Sequence, residues 1–287
     1  MDTVERRLNS TRAQLETLEK ELDGWTAGTA QEHQSSSPGM LSTLLDTLYS
    51  QILDEAFRDF SPKEKGWEVR LSILHTFLCT ANRASTSVVA DFLFTSDYND
   101  VADKLLSDLH AVLYRKHGRV QAYHKSFSDF IFDQNRSGIF WCNQPMHHRL
   151  LADACFRCMK DGLRFNISSI PSSFVLDVDN PMFADAVREN IHPVLEYSCR
   201  NWSYHVSAAA SIIRDGLRDS ISDFLKLPAL FWIEAMNLLH LCSLCGPMLQ
   251  TVHDWVISSK ASFLLFEYPM TDLPCHLGQL VVSRRAN

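Results

Sequence analysis

Two Cys-x-x-Cys pairs are the residues of this sequence with the most obvious chemical potential. Cys155 and Cys158 form one pair and Cys242 and Cys245 the other, and four thiolates are a common ligand set for zinc. However, 83 residues separate the pairs, and each pair falls in a segment with helical periodicity. A cysteine on the apolar stripe of a helix behaves as a small hydrophobic residue. We therefore predict that both pairs pack in the core, with no metal. A thioredoxin-like role is weaker still, because no βαβ pattern surrounds either pair.

No catalytic motif accompanies these cysteines. The 287 residues contain no G-x-S-x-G, no H-E-x-x-H and no G-x-x-x-x-G-K-[ST] phosphate-binding sequence, and the twelve histidines are scattered. The sequence therefore predicts that the chain is not an enzyme, has no catalytic residues, and holds no nucleotide by the P-loop route.

Composition and charge limit the kinds of partner and the compartment that we expect. Hydrophobic residues make up 46% and charged residues 21%, and the formal net charge is −7, which weakly opposes a nucleic-acid partner. The N-terminus carries no apolar run, and no stretch approaches the roughly 20 apolar residues of a membrane span. We expect a cytoplasmic protein with reduced thiols and no membrane partner.

The first 40 residues divide into a helix and a linker. Apolar residues recur at alternating spacings of four and three over residues 4–25, which is typical of a short coiled coil and equally of a lone amphipathic helix. We assign residues 1–25 to this helix. The polar, Gly- and Ser-rich residues 26–40 are predicted to form a flexible linker.

From Leu41 the chain alternates helical segments with short breaks. Four helix-period segments lead into AVLYRKHGRVQAYH, which predicts two short strands around a turn in which Gly118 can adopt positive φ. Helices, a hairpin and a closing helix are the element order of a winged-helix domain, here residues 41–134. Residues 135–245 predict a right-angled or solenoid-like helical array. Residues 246–287 show no clear period, so their structure is left open. The predicted fold class is mainly α.

DNA binding is not the expected role of this winged helix. The helix that would enter the groove, STSVVADFLF, has no basic residue, and residues 41–134 carry 10 Lys or Arg against 13 Asp or Glu. The basic hairpin tip is the one favourable feature, and exposed hairpin tips are often basic. We expect a protein-interaction or regulatory module instead.

The closing segment of this domain reads YHKSFSDFIFD, residues 123–133. His124 precedes three aromatic residues at helical spacing. An imidazole can donate a hydrogen bond to a phosphate oxygen, and it can also cap the helix that follows it. The residues alone leave both roles open.

Several blocks of the sequence resemble one family in the same order. LDTLYSQILDEAF, the predicted wing with YHKSFSDFIFD, LRFNISSIPSSF, the block from Leu195 to His205 and LFWIEAMNLL are similar to the winged-helix and following helical region of fungal NACHT-type signalling NTPases. These are NLR-like STAND proteins. The resemblance covers roughly residues 41–245, and the ordered co-occurrence of the blocks makes it more specific than any one of them.

The resemblance implies a mechanism. In that family a P-loop domain precedes the winged helix, ADP holds the two together, and exchange for ATP leads to oligomerisation. The histidine of an H-x-S-F-x-[DE]-F motif reaches the β-phosphate of the nucleotide, and His124 is the matching residue here. The scaffold of the motif matches Ser126, Phe127, Asp129 and Phe130. Arg200, Trp202 and His205 match a further family block that we interpret as a packing unit, with Arg200 stacked on Trp202.

The chain departs from the family pattern because no P-loop sequence precedes residue 41. We expect either a truncated gene product or a natural remnant without its motor. The first hypothesis is a non-catalytic regulatory or interaction module that docks onto an intact NACHT ATPase or self-associates through residues 4–25. The alternative is a fragment of a signalling ATPase whose motor lies outside this chain. ADP or ATP then binds only when an ATPase domain is supplied. A helical scaffold without any link to nucleotides is the third hypothesis.

Overall fold

A computed structural model describes residues 38–81, 84–93, 99–170, 183–209 and 216–258. The chain divides into two compact units, residues 1–144 and 145–287. The described residues are mainly helical, with one two-stranded antiparallel sheet, which confirms the mainly α class. The helix predicted over residues 1–25 and most of the predicted linker 26–40 lie outside the described residues.

The first unit begins with four helices. They are α1 (Pro38–Phe57), α2 (Lys65–Cys79), α3 (Thr86–Phe92) and α4 (Asn99–Asp108). Helix α1 starts three residues before the predicted position, Leu41, because a proline fits the first turn of a helix, where its missing N–H has no intrahelical acceptor. Helix α3 is capped by Ser85, whose side chain accepts a hydrogen bond from the backbone N–H of Val88 at 3.3 Å.

The hairpin lies where the sequence predicts it. Strands β1 (Leu113–Lys116) and β2 (Arg119–Ala122) pair antiparallel, with Leu113 opposite Ala122. The two turn residues, His117 and Gly118, both have positive φ, the geometry of a tight two-residue hairpin turn. Helices α5 (Lys125–Phe132) and α6 (Gln134–Ser137) and a 3₁₀ turn at Gly138–Phe140 complete the unit.

Aromatic side chains fill the core of the first unit. Phe57 on α1 lies 4.7 Å from Trp67 on α2 and 5.4 Å from Phe140, measured between ring centroids. All three rings are buried, so the end of α1, the start of α2 and the 3₁₀ turn share one cluster. Such contacts add stability beyond the burial of apolar area.

The regular elements among the described residues of the second unit are all helices. It contains α7 (Gln144–Gly162), α8 (Phe183–Asn190), α9 (Pro193–Ala208), α10 (Gly216–Lys226), α11 (Pro228–Leu238) and α12 (Cys245–Ser258), with a 3₁₀ turn at Cys242–Leu244. Its core is built on α9, whose buried face includes Trp202 and His205.

Two boundaries in this unit differ from the simple helical pattern. The helical segment predicted around Cys242 and Cys245 is interrupted, because α11 ends at Leu238 and His240 has positive φ. Beyond it, Cys245–Ser258 form a helix in the segment that was left open. Gly246 and Pro247 are loop residues by composition, yet a proline in the first helical turn costs no hydrogen bond.

Within the described ranges, no helix combines the length and the apolar content that a membrane span needs.

Candidate functional site

His124 lies between the hairpin and helix α5. Strand β2 ends two residues before it, and α5 begins at the next residue. Its extended backbone makes it the N-cap of α5, and its side chain accepts a hydrogen bond from the backbone N–H of Ser126. A histidine in place of the usual Ser, Thr, Asp or Asn therefore satisfies one of the otherwise unpaired donors of the helix. The hydrogen-bond geometry thus shows His124 acting as the N-cap of α5.

A chain of hydrogen bonds fixes the tautomer of this imidazole. Nδ1 of His124 lies 3.1 Å from the backbone nitrogen of Ser126 and 2.7 Å from its Oγ. The Ser126 hydroxyl lies 2.6 Å from the hydroxyl of Tyr49 on α1. A backbone N–H can only donate, so Nδ1 is the acceptor and, in the neutral ring, the proton sits on Nε2. The half-buried imidazole thus carries its N–H on the atom away from the helix cap.

Aromatic packing holds the cap in place. Phe127 and Phe130 are fully buried, and both rings contact Tyr49, with centroid distances of 5.2 and 5.5 Å. Helix α5 is therefore fastened to α1 by rings on one side and by the Tyr49–Ser126 hydrogen bond beside them. Phe127 and Phe130 therefore pack α5 onto α1.

Asp129, the acidic residue of the motif, faces outward. Its exposed carboxylate lies 4.0 Å from the ammonium group of Lys125, one turn earlier on the same helix. An exposed pair of this kind contributes little to stability. Asp129 thus has no packing role comparable to that of the two phenylalanines.

The residues of the second block lie in the other unit and do not share one environment. Arg200 pairs with Glu196, one turn earlier on α9, at 2.9 Å. Trp202 is fully buried against Phe156, Phe224 and Trp232. Side chains two residues apart on a helix point in different directions, so Arg200 is found beside Glu196, not over the indole.

His205 belongs to a buried polar pair. Its Nδ1 lies 3.0 Å from Nδ1 of His148 on α7, and its Nε2 lies 2.9 Å from the hydroxyl of Tyr197. Burial lowers the pKa of His148 to about 4. Burial, reinforced by His148 and His147, lowers the pKa of His205 well below its ordinary value. Both imidazoles are therefore neutral at pH 7 and hold α7 against α9.

One thiol of each Cys-x-x-Cys pair is buried, Cys155 and Cys245, whereas Cys158 and Cys242 are half-buried. Burial raises the pKa of Cys155 and of Cys199, and it raises the pKa of Cys245 to about 12. Within the described part of the second unit, no three sulfur atoms lie within 4.8 Å of one another. The prediction that both pairs pack in the core is therefore met by one cysteine of each pair only.

A different pair of thiols, in the first unit, comes close together. Cys79 at the end of α2 and Cys142 after the 3₁₀ turn have their Sγ atoms 3.9 Å apart, beside His75. The sequence analysis did not single them out, because 63 residues separate the two cysteines. The spacing His75-x-x-x-Cys79 on one helical turn was the signal available.

The chain as a whole matches no family model, no curated protein and no solved structure.

Proposed function

We propose that this chain is a non-catalytic regulatory module of an NLR-like STAND signalling system, and that His124 contacts a nucleotide phosphate held by a P-loop domain supplied from elsewhere. The observation that supports the proposal best is the tautomer of His124. Because Ser126 occupies Nδ1, the neutral imidazole carries its proton on Nε2 and is a hydrogen-bond donor there. A phosphate oxygen accepts such a bond.

The element order of residues 41–134 supports the winged-helix assignment in this proposal. Helices α1 to α4 precede a two-stranded wing, and α5 follows it. The wing is tied to the helices by the backbone N–H of Val120, which donates to the carbonyl of Ala84 just before α3, at 3.0 Å. His124 thus stands between two anchored elements.

The charges of the wing favour a protein partner over DNA. Arg115, one of the basic residues near the tip, pairs with Asp103 on α4. That pairing lowers the positive charge available to phosphates in a domain that is already net acidic. The expected partner is a NACHT ATPase domain carrying bound ADP.

The proposal is tested by association of this chain with a recombinant fungal NACHT ATPase domain, measured with ADP and without nucleotide. We expect ADP to strengthen association. His124→Asn retains a side-chain oxygen that can cap α5 but removes the imidazole donor. Losing a hydrogen bond to a charged group costs about 1.5–3 kcal/mol, so the ADP-dependent gain should fall by about 10-fold or more.

A matched control is available on the wing. His117 is exposed and has positive φ, a conformation that asparagine tolerates. His117→Asn makes the same chemical change without touching the cap and should leave the ADP response intact. If ADP has no effect on association, or if His124→Asn leaves its effect unchanged, the proposed nucleotide contact is wrong.

The second candidate function is that of a fragment of a signalling ATPase whose motor lies in the same polypeptide. The observation that favours it is again the donor at Nε2 of His124, since the same contact serves a domain in cis. Sequencing of the full transcript upstream of Met1 separates the two, because an in-frame P-loop sequence supports the fragment.

A further inference from the structure

Tyr49 is the residue through which helix α1 reaches the imidazole of His124. It is fully buried, and its ring contacts Phe127 and Phe130 on α5. Its hydroxyl lies 2.6 Å from the hydroxyl of Ser126, which in turn lies 2.7 Å from Nδ1 of His124. A path of two hydrogen bonds therefore connects α1 with the imidazole that is proposed to contact a phosphate.

The direction of each hydrogen bond in this path follows from its histidine end. The backbone N–H of Ser126 donates to Nδ1 of His124, so Nδ1 of the neutral ring carries no proton. The Ser126 hydroxyl, 2.7 Å from that unprotonated nitrogen, must therefore donate its own proton to it. Because a serine hydroxyl has one proton, the Tyr49 hydroxyl is the donor at the 2.6 Å contact. Tyr49 thus donates to Ser126, and Ser126 donates to His124.

This direction favours donation from the other side of the ring. Hydrogen bonds in a chain polarise and strengthen one another. Donation to Nδ1 of His124 withdraws electron density from the imidazole, so the N–H at Nε2 becomes a better donor. The path from Tyr49 therefore strengthens the same donor that the proposed phosphate contact uses.

Helix α1 is held firmly close to Tyr49. Three residues earlier, the carboxylate of Asp46 accepts hydrogen bonds from Nε and Nη2 of Arg136, at 3.0 and 2.6 Å. A contact with two parallel hydrogen bonds fixes orientation as well as distance. Arg136 lies on α6, which follows α5 directly. The α1 helix is thus fixed at two places to the segment that begins with His124.

We propose that Tyr49 and Ser126 are positioning residues for the contact between His124 and a nucleotide phosphate. They hold the imidazole with the N–H of Nε2 as its donor, and they make the phosphate contact depend on the packing of α1 against α5. A change that moves α1 away from α5 breaks the Tyr49–Ser126 hydrogen bond and weakens the contact. This inference rests on the proposed function, but the hydrogen-bond path itself is tested without a partner domain.

Nitrogen NMR of the full-length protein tests the path directly. The resonance of His124 is identified by its loss in His124→Asn, and the shift of Nδ1 responds to the hydrogen bonds that this nitrogen accepts. Tyr49→Phe retains the ring that packs on α5 and removes the hydroxyl. We expect the Nδ1 resonance to move toward that of a more weakly hydrogen-bonded nitrogen.

Tyr114→Phe is the matched control for this measurement. The Tyr114 hydroxyl donates to the side-chain carbonyl of Gln121 at 2.7 Å, within the hairpin. Its removal is the same chemical change in the same unit and should leave the Nδ1 resonance of His124 in place. An unchanged resonance in Tyr49→Phe, or an equal shift in both variants, overturns the path.

Association with the NACHT ATPase domain tests the functional part. Tyr49→Phe should reduce the ADP-dependent gain by about 2- to 10-fold, which is the effect of one hydrogen bond, and Tyr114→Phe should not reduce it. Because the path ends at the imidazole, Tyr49→Phe should have no further effect in a His124→Asn background.

Three results overturn the positioning role. They are an unchanged ADP response in Tyr49→Phe, the same fold loss with and without His124, and an absent ADP response in the unaltered protein. The last of these also refutes the proposed function, whereas the first two leave it standing when His124→Asn alone loses the response.

Discussion

His124 caps a helix, and the same imidazole is the residue that we propose contacts a nucleotide phosphate. Nδ1 caps α5 through the backbone N–H of Ser126, and the capping bond itself places the proton on Nε2. The hydrogen bond that caps the helix therefore also sets the tautomer that the proposed phosphate contact requires. Removing the side chain affects both, which is why a capping substitute such as asparagine is more informative than a leucine. His124→Leu should cost about 1 kcal/mol in stability from the lost cap alone.

At the residue scale, the buried histidines of the second unit predict a pH dependence. Folded His148 and His205 both have lowered pKa values, whereas in the unfolded chain they titrate near about 6.5. Below that pH the unfolded state binds more protons, so the free energy of unfolding falls as the pH drops from about 6.5 toward 4. The slope reaches about 1.4 kcal/mol per pH unit for each histidine.

Urea unfolding between pH 7.5 and 5 measures this slope. His147, Tyr197 and Tyr204 are titratable groups beside the pair, so a variant at one histidine is needed to isolate the contribution of that histidine. His148→Gln should reduce the pH dependence of the free energy of unfolding by up to about 1.4 kcal/mol per pH unit, which is the contribution of one bound proton. An unchanged slope contradicts the assignment of neutral, buried imidazoles.

At the element scale, helix α4 offers two aspartates whose removal should destabilise the protein to very different extents. Asp108 pairs at 2.5 Å with Arg70, whose side chain is only 1% exposed and also donates to the carbonyl of Ala56. Asp103 pairs with Arg115, and both of those side chains are exposed. Asp108→Ala leaves a buried guanidinium without its counter-charge and should cost about 3–5 kcal/mol. Asp103→Ala should cost less than about 1 kcal/mol.

Thermal or urea unfolding of the two variants gives the comparison directly. The two variants make the same chemical change in one helix and differ in which arginine loses its partner. Equal losses of stability contradict the view that Arg70 depends on Asp108.

The aromatic core of the second unit gives a matched pair of substitutions. Trp202 and Trp232 are both fully buried. The indole N–H of Trp232 donates to the carbonyl of Cys199 at 2.9 Å, whereas the Nε1 of Trp202 has no hydrogen-bond partner. Trp232→Phe therefore removes a buried hydrogen bond and Trp202→Phe removes none. We expect the former to be more destabilising by about 1 kcal/mol in urea unfolding. The reverse order contradicts the assignment.

At the scale of the whole molecule, the features that the sequence predicted correctly are those that depend on residues close together in the chain. The hairpin followed from Gly118 between β-prone segments. The helix from Cys245 was missed, because Gly246 and Pro247 are loop residues in most contexts but are tolerated in a first turn. In each case the local structure depends on a few residues that are adjacent in the sequence.

Contacts distant in sequence were beyond the same reasoning. The approach of Cys79 to Cys142 and of His148 to His205 depends on how helices pack. Periodicity identifies the buried face of a helix, but it does not say which other face lies against it. A Cys-x-x-Cys pair can be recognised in the sequence because its cysteines are three positions apart. Cys79 and Cys142 are 63 positions apart, so the sequence alone does not pair them.

The central claim is that His124 contacts a nucleotide phosphate, and the most direct measurement is association of this chain with a NACHT ATPase domain, with and without ADP. The account predicts that ADP strengthens association for the unaltered chain and for His117→Asn, and that His124→Asn loses about 10-fold or more of that gain while remaining folded. An ADP response that is the same in all three proteins, or absent from the unaltered chain, contradicts it. His124 is then a helix cap alone.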